Sequence, residues 1–185
     1  MSTTSLRKDH ELIEKVIKAM QSTIQLLNDK KQIPEFILLP VIDFSKNFTD
    51  VCHHTKEEKS LFPALEQAGM PSKMGPIAMM LIDHQRSREI GNEMEKSAKE
   101  YLSSGNSEKL ISDMQLYVDH ITEHLWKENN KLFMMAEARL QHVSKKVDDE
   151  LSGIEKSQLD ELGKSRQHYE ELAENLTRDV SNQGN

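Results

Sequence analysis

A chain of 185 residues with 31 acidic and 24 basic side chains carries a formal charge of −7. That leaves no basic excess to neutralise a phosphate backbone and argues against general nucleic-acid binding. With only 7 glycines and 5 prolines, the chain lacks the turn residues a sandwich or barrel would use, and long helices are the expectation. The single cysteine, Cys52, excludes an internal disulfide. With an N-terminus that has no apolar signal core and no apolar run of about 18 residues, it predicts a cytoplasmic protein that does not enter a membrane.

Breaks fall at Pro34, Gly69-Met70-Pro71, Gly75-Pro76 and Ser103-Ser104-Gly105-Asn106. They delimit helical segments at 4–31, 35–68, 76–102 and 107–143, joined by connections short enough for antiparallel neighbours. In the first, Leu6, His10, Ile13, Ile17, Met20, Ile24 and Leu27 recur in steps of three and four. In the second, Phe44, Val51, His54, Glu58, Leu61 and Leu65 share a face, and Pro63 is expected to kink the helix or loosen its last turn. The third carries Ile77, Met80, His84, Ser87, Gly91, Met94, Ala98 and Tyr101; the fourth carries Met114, Tyr117, Ile121, His124, Glu128 and Met135. Such stripes belong to helices packed on other helices. A weaker, interrupted stripe (Leu151, Ile154, Leu162, Tyr169, Leu172, Leu176) runs over 147–178. The reading is all-α: an antiparallel up-down-up-down four-helix bundle over 1–145, then a C-terminal helix and flexible tail over 146–185.

Each of the four strong seams holds a histidine at a core position, and two hold a glutamate four residues later: His54 with Glu58, and His124 with Glu128. Residues i and i+4 lie on one helical face. A carboxylate facing a core is costly unless it is paired or bound to a metal. Any one core histidine is more often a packing residue than a ligand, and one such pair can be purely structural. Four imidazoles and two carboxylates converging from four helices are another matter and point to metal. The donors are nitrogen and oxygen without thiolate, and six exceed what one tetrahedral zinc needs. Two ions can share them, with His10, His54, His84 and His124 as terminal ligands, Glu58 and Glu128 as bridges, and a solvent-derived oxo or hydroxo bridge between. The Glu-x-x-His pairs of ferritin-like di-metal bundles are absent.

The second pair has an alternative register. His53 and Glu57 offer the same spacing, and their distance to Leu61-Phe62 matches that of His124 and Glu128 to Leu132-Phe133. Helical phase favours His54–Glu58, because His54 falls on the face of Val51, Leu61 and Phe44, whereas His53 falls with Asp50, Lys46 and Ser60.

His10, the Cys52–Leu65 stretch, the run from Met74-Gly75-Pro76-Ile77 to Asp83-His84, and the run from His120 to Glu128 and on to Leu132-Phe133 resemble the hemerythrin-like HHE cation-binding domains. The resemblance covers about residues 5–140. It implies a four-helix bundle around a non-haem di-iron centre; manganese or zinc also fits the donors. It implies a small ligand such as oxygen, nitric oxide or peroxide, without fixing a reaction, since the family includes carriers, sensors, peroxide-consuming members and iron-centre repair proteins. In oxygen carriers a further ligating histidine lies one turn after the third-helix histidine. Here that position is Arg88, which as a cation cannot ligate, and reversible oxygen transport is in doubt.

Glu14, Tyr117, His120 and Arg88 are candidates to hydrogen-bond ligands or a bound species, each weighed against a flank or packing role. The leading expectation is a di-iron protein that binds or reacts with a small ligand. The alternative is a metal- or oxygen-responsive regulatory module without turnover, read by a protein partner or a second copy through the C-terminal helix.

Overall fold

A computed structural model describes residues 3–184. Six helices follow in order: α1 (Thr4–Asn28), α2 (35–67), α3 (Pro76–Ser104), α4 (108–139), α5 (Ser144–Glu161) and α6 (Arg166–Gly184), with a 3₁₀ turn at Gln141–Val143 before α5. No strand occurs among the described residues.

Two of these helices are not regular α-helices. α2 begins as α-helix over Glu35–Asp43, widens to π-helix over Phe44–His54 and again over Glu57–Leu61, and ends as α-helix over Phe62–Gln67. α4 is α-helical over Glu108–Lys127, π-helical over Glu128–Leu132 and α-helical over Phe133–Arg139. A π-turn closes an i→i+5 hydrogen bond, and such turns concentrate at functional sites. Its wider turn carries steps of four round the helix in the opposite sense to an α-turn. Mixed α and π stretches therefore keep Ser45, Thr49, His53, Glu57, Leu61 and Leu65 all buried. In α4 the same insertion moves the buried seam onto Leu132, Phe133 and Ala136 and leaves Met135 exposed, contrary to the stripe read from the sequence. Pro63 follows the second π-turn of α2, and the chain stays helical through it.

Contacts between α2 and α3 run in opposite order along the two helices: Lys46 meets Glu95, Asp50 meets Arg88, and Glu58 meets His84. Between α3 and α4, Glu93 meets Lys109 and Asp83 meets Lys127. The apolar interior falls into two parts. The larger joins α1, the first half of α2, the C-terminal half of α3, the N-terminal half of α4 and α6, around Ile13, Phe44, Phe48, Met94, Met114, Ile121 and Tyr169. The smaller, at the other end of the bundle, holds Leu6, Leu61, Phe62, Met80, Leu132, Phe133 and Leu151. His10, His53, Glu57, His84 and Glu128 are buried between these two sets in sequence, and His124 is buried one residue before Leu125, the last member of the larger set on α4.

The region beyond the bundle is two helices, where one was expected. Gly163, at φ 63°, ends α5: its N–H donates to the Asp160 carbonyl and the Lys164 N–H to that of Leu159, a Schellman closure that glycine adopts without a Cβ penalty. The interrupted stripe is thus two faces. α6 packs along α1 and α2, and α5 lies against α2. Of the expected flexible tail, Ser181–Gly184 belong to α6, and Asn185 lies outside the described residues. No described helix is long and apolar enough to cross a membrane.

Candidate metal centre

The centre is built from two similar halves. α1 brings His10, and α2 brings His53 and Glu57, followed by a π-turn in which the Phe62 N–H donates to the Glu57 carbonyl. α3 brings His84, and α4 brings His124 and Glu128, followed by a π-turn in which the Phe133 N–H donates to the Glu128 carbonyl. The phenylalanines cross over: Phe133 stacks on His10 at 5.0 Å and Phe62 on His84 at 5.6 Å. The six polar side chains are at most 1% exposed.

Two groups of donors overlap at the carboxylates. His10, His53, Glu57 and Glu128 each offer one atom within 4.8 Å of the others, and so do Glu57, His84, His124 and Glu128. His10 Nε2 lies 3.2 Å from Glu128 Oε2, His84 Nε2 3.2 Å from Glu57 Oε2, and His124 Nε2 3.4 Å from Glu128 Oε1. None of the four oxygens of Glu57 and Glu128 has a hydrogen-bond donor among the described residues, nor do His84 Nε2, His124 Nε2 and His54 Nε2.

The other face of each imidazole explains the orientation. His10 Nδ1 meets Asn129 Oδ1 at 3.0 Å, His53 Nδ1 meets Asp9 Oδ2 at 3.1 Å, His54 Nδ1 meets Asp50 Oδ1 at 3.3 Å, and His84 Nδ1 meets Glu58 Oε1 at 2.8 Å. His124 Nδ1 faces Asp83 Oδ2 at 3.7 Å. An oxygen acceptor on Nδ1 keeps the proton there and leaves the Nε2 lone pair free, the arrangement found behind metal-ligating histidines. Burial pushes His10, His53, His54 and His84 below their ordinary pKa and His124 to about 3, so the imidazoles are neutral near pH 7. Burial also raises both carboxyls: Glu128 to about 8, and Glu57, which also feels Glu128, well above the usual range. Neutral nitrogens and desolvated carboxyl groups without donors are costly as a void and suited to cations.

The candidates read from the sequence separate. His10, His84, His124 and Glu128 come together with the alternative pair, His53 and Glu57. Of the preferred pair, Glu58 does not join the cluster: it accepts from His84 Nδ1 and from Arg88 Nη2 at 2.7 Å, and lies partly exposed. The phase argument assumed α-helical turns throughout, and the π-turns of α2 displace it. His54 is buried, stacks on His84 at 3.9 Å and groups with His84 and His124. Arg88 bridges Glu58 and Asp50, the acceptors of His84 and His54. His120, one turn from His124, donates from Nε2 to the Asp83 carbonyl at 2.9 Å, with Ser87 Oγ 3.1 Å from the same nitrogen. Tyr117 is buried in the larger apolar part, and Glu14 is exposed on α1. Asp9, Asp50, Asp83 and Asn129 are not among the site candidates read from the sequence. The available signal was an acid immediately before His10 and His84 and one turn before His54.

Fold and site define a helical-bundle protein with buried histidine and glutamate clusters able to hold metal cations. The family model for the hemerythrin HHE cation-binding domain matches residues 1–136, and the chain belongs to that family. No curated protein and no solved structure matches the chain.

Proposed function

We propose that this chain is a non-haem di-iron protein that binds or reacts with a small ligand such as oxygen, nitric oxide or peroxide. The observation that carries this reading is the convergence of inward-facing Nε2 atoms on two carboxyl groups without donors, with the rings of His10, His53, His54 and His84 each held from behind by an oxygen. In this reading His10 and His53 would hold one ion and His84 and His124 the other, with Glu57 and Glu128 shared by both donor groups. His54 offers a fifth imidazole on the side of His84 and His124, supplied by α2 in place of the third-helix position that Arg88 occupies. Nitrogen and oxygen donors in this number favour iron over a four-coordinate zinc site. Bound as a pair, the irons would supply reversible electron transfer and a coordination position for the ligand.

The chain's own residues determine the rest. Asn129, Asp9, Asp50 and Glu58 orient the rings of His10, His53, His54 and His84, and Phe62 and Phe133 wall the site from water. Side chains at most 1% exposed leave no opening for a metabolite-sized substrate. The test is to purify the protein after iron-replete expression, count metal and record the ultraviolet–visible spectrum with and without nitric oxide or peroxide. Two irons per chain and a ligand-sensitive iron band are expected. Fewer than one iron per chain after reconstitution would reject the reading.

A further inference from the structure

Charged side chains outside the metal cluster form a network against it, with Asp9, Lys56, Glu155 and Arg166 at its centre. Asp9, on α1, is fully buried. Its Oδ2 accepts from His53 Nδ1 at 3.1 Å and from Lys56 Nζ at 2.5 Å, and its Oδ1 accepts from Arg166 Nη1 at 2.7 Å. Glu155 accepts from both cations, Lys56 Nζ at 2.5 Å and Arg166 Nη1 at 3.1 Å. Lys56 is itself fully buried, and the Arg166 guanidinium lies 5.8 Å from the Phe48 ring. Arg166 Nε also donates to Glu170 Oε1 at 3.1 Å, at the exposed edge, so three acids and two bases meet here, contributed by α1, α2, α5 and α6. Glu155 and Arg166 lie beyond the segment that the family model matches.

We propose that Arg166, at the start of α6, is a positioning residue for the metal centre: it holds Asp9 against His53, so the C-terminal helix pair helps set the geometry of one of the two metal sites. This inference rests on the di-metal reading of the cluster. Asp9 has two oxygens and three donors. With Arg166 gone, its Oδ1 is buried without a partner, and the carboxylate is free to swing towards Lys56 or take up a proton. Either change loosens the bond that keeps the His53 proton on Nδ1 and its Nε2 lone pair on the cluster. Changes to the partner behind a ligating histidine typically weaken metal binding about 10–100-fold. Burial alone does not have this consequence. Leu176, also on α6, is more deeply covered than Arg166 but touches the larger apolar part.

The experiment titrates full-length, metal-free protein with Fe(II) under anaerobic conditions against a chromophoric chelator, with thermal melts of the metal-free forms alongside. Arg166→Gln is expected to weaken one of the two ions about tenfold and leave the other near wild type. Arg166→Lys, which keeps the charge but loses the planar guanidinium whose Nη1 meets Asp9 and Glu155 while its Nε meets Glu170, should lose a few-fold and serves if the glutamine variant does not fold. Leu176→Ala should lower the melting temperature of the metal-free protein yet bind both ions as wild type does. Equal binding of both ions by the Arg166 variants and wild type would overturn the proposal while leaving the metal centre intact. So would a loss in Leu176→Ala as large as in Arg166→Gln. A wild-type protein that takes up no Fe(II) would overturn the metal centre itself and this role with it.

Discussion

Glu57 and Glu58 are neighbours with opposite surroundings. Glu57 is fully buried among imidazoles and lacks a donor, whereas Glu58 is partly exposed and bonded to His84 and Arg88. Glu57→Gln should therefore lose at least one ion per chain. Glu58→Gln should keep both ions with affinity lowered about tenfold, because it disturbs the acceptor behind His84 and its bond to Arg88 but no inward-facing donor. Elemental analysis of the two purified variants checks this, and loss of metal in Glu58→Gln alone would reverse the roles. Burial also gives the metal-free protein a distinctive pH dependence. Glu128, held at about 8 against an ordinary 4.5, binds a proton in the folded state that the unfolded chain releases; its stabilisation is complete below pH 4.5 and lost as pH rises to 8. His124, at about 3 against 6.5, contributes stability that is present above pH 6.5 and lost as pH falls towards 3. The two oppose each other between pH 4.5 and 6.5, and above 6.5 the carboxyl contribution acts without this counterweight. Thermal melts of metal-free protein should therefore fall from pH 6.5 to 8, and a flat or rising profile would contradict the burial of unpaired carboxyls.

At the scale of the element, the bundle helices were legible because apolar steps of three and four are long and lightly punctuated. The first and third helices run close to their expected limits. The second shows where such reading stops. Helical phase counted at the α-period places Glu58 inside, but two π-stretches in α2 rotate Glu57 there instead. Nothing in local composition announces a π-turn. The signal that did survive was the repeated interval from His and Glu to Leu-Phe in α2 and α4, since both helices carry their π-turn at the same place. The C-terminal pair was blurred into one helix because Gly163 sits inside a weak stripe and the two helices bury different faces. Tyr169 anchors α6, with its ring 5.2 Å from Phe48 and 5.9 Å from Phe44. Tyr169→Ala should cost about 3 kcal/mol or more, as other large-to-small aromatic changes in cores do. Urea denaturation checks the figure, and a loss under about 1 kcal/mol would mean that α6 is only loosely attached.

For the whole molecule, the apolar interior supplies the packing, and the polar cluster between its two parts is a standing cost while its carboxyls lack partners. A ligand that binds only the folded state stabilises it by mass action, about 2.7 kcal/mol at a hundredfold excess over its dissociation constant. Fe(II) should accordingly raise the melting temperature of the metal-free protein, and a chelator should reverse the gain. The same titration on Glu57→Gln should show a smaller rise. A melting temperature indifferent to metal and chelator would recast the histidines as a packing network.

The most direct measurement is anomalous scattering at the iron edge from a crystal of iron-loaded protein. Two peaks on the order of 3.5–4 Å apart are expected, both in contact with Glu57 and Glu128, one beside His10 and His53 and the other beside His84 and His124. No peak among these side chains, or a peak at Glu58 with Glu57 turned away, would contradict the account.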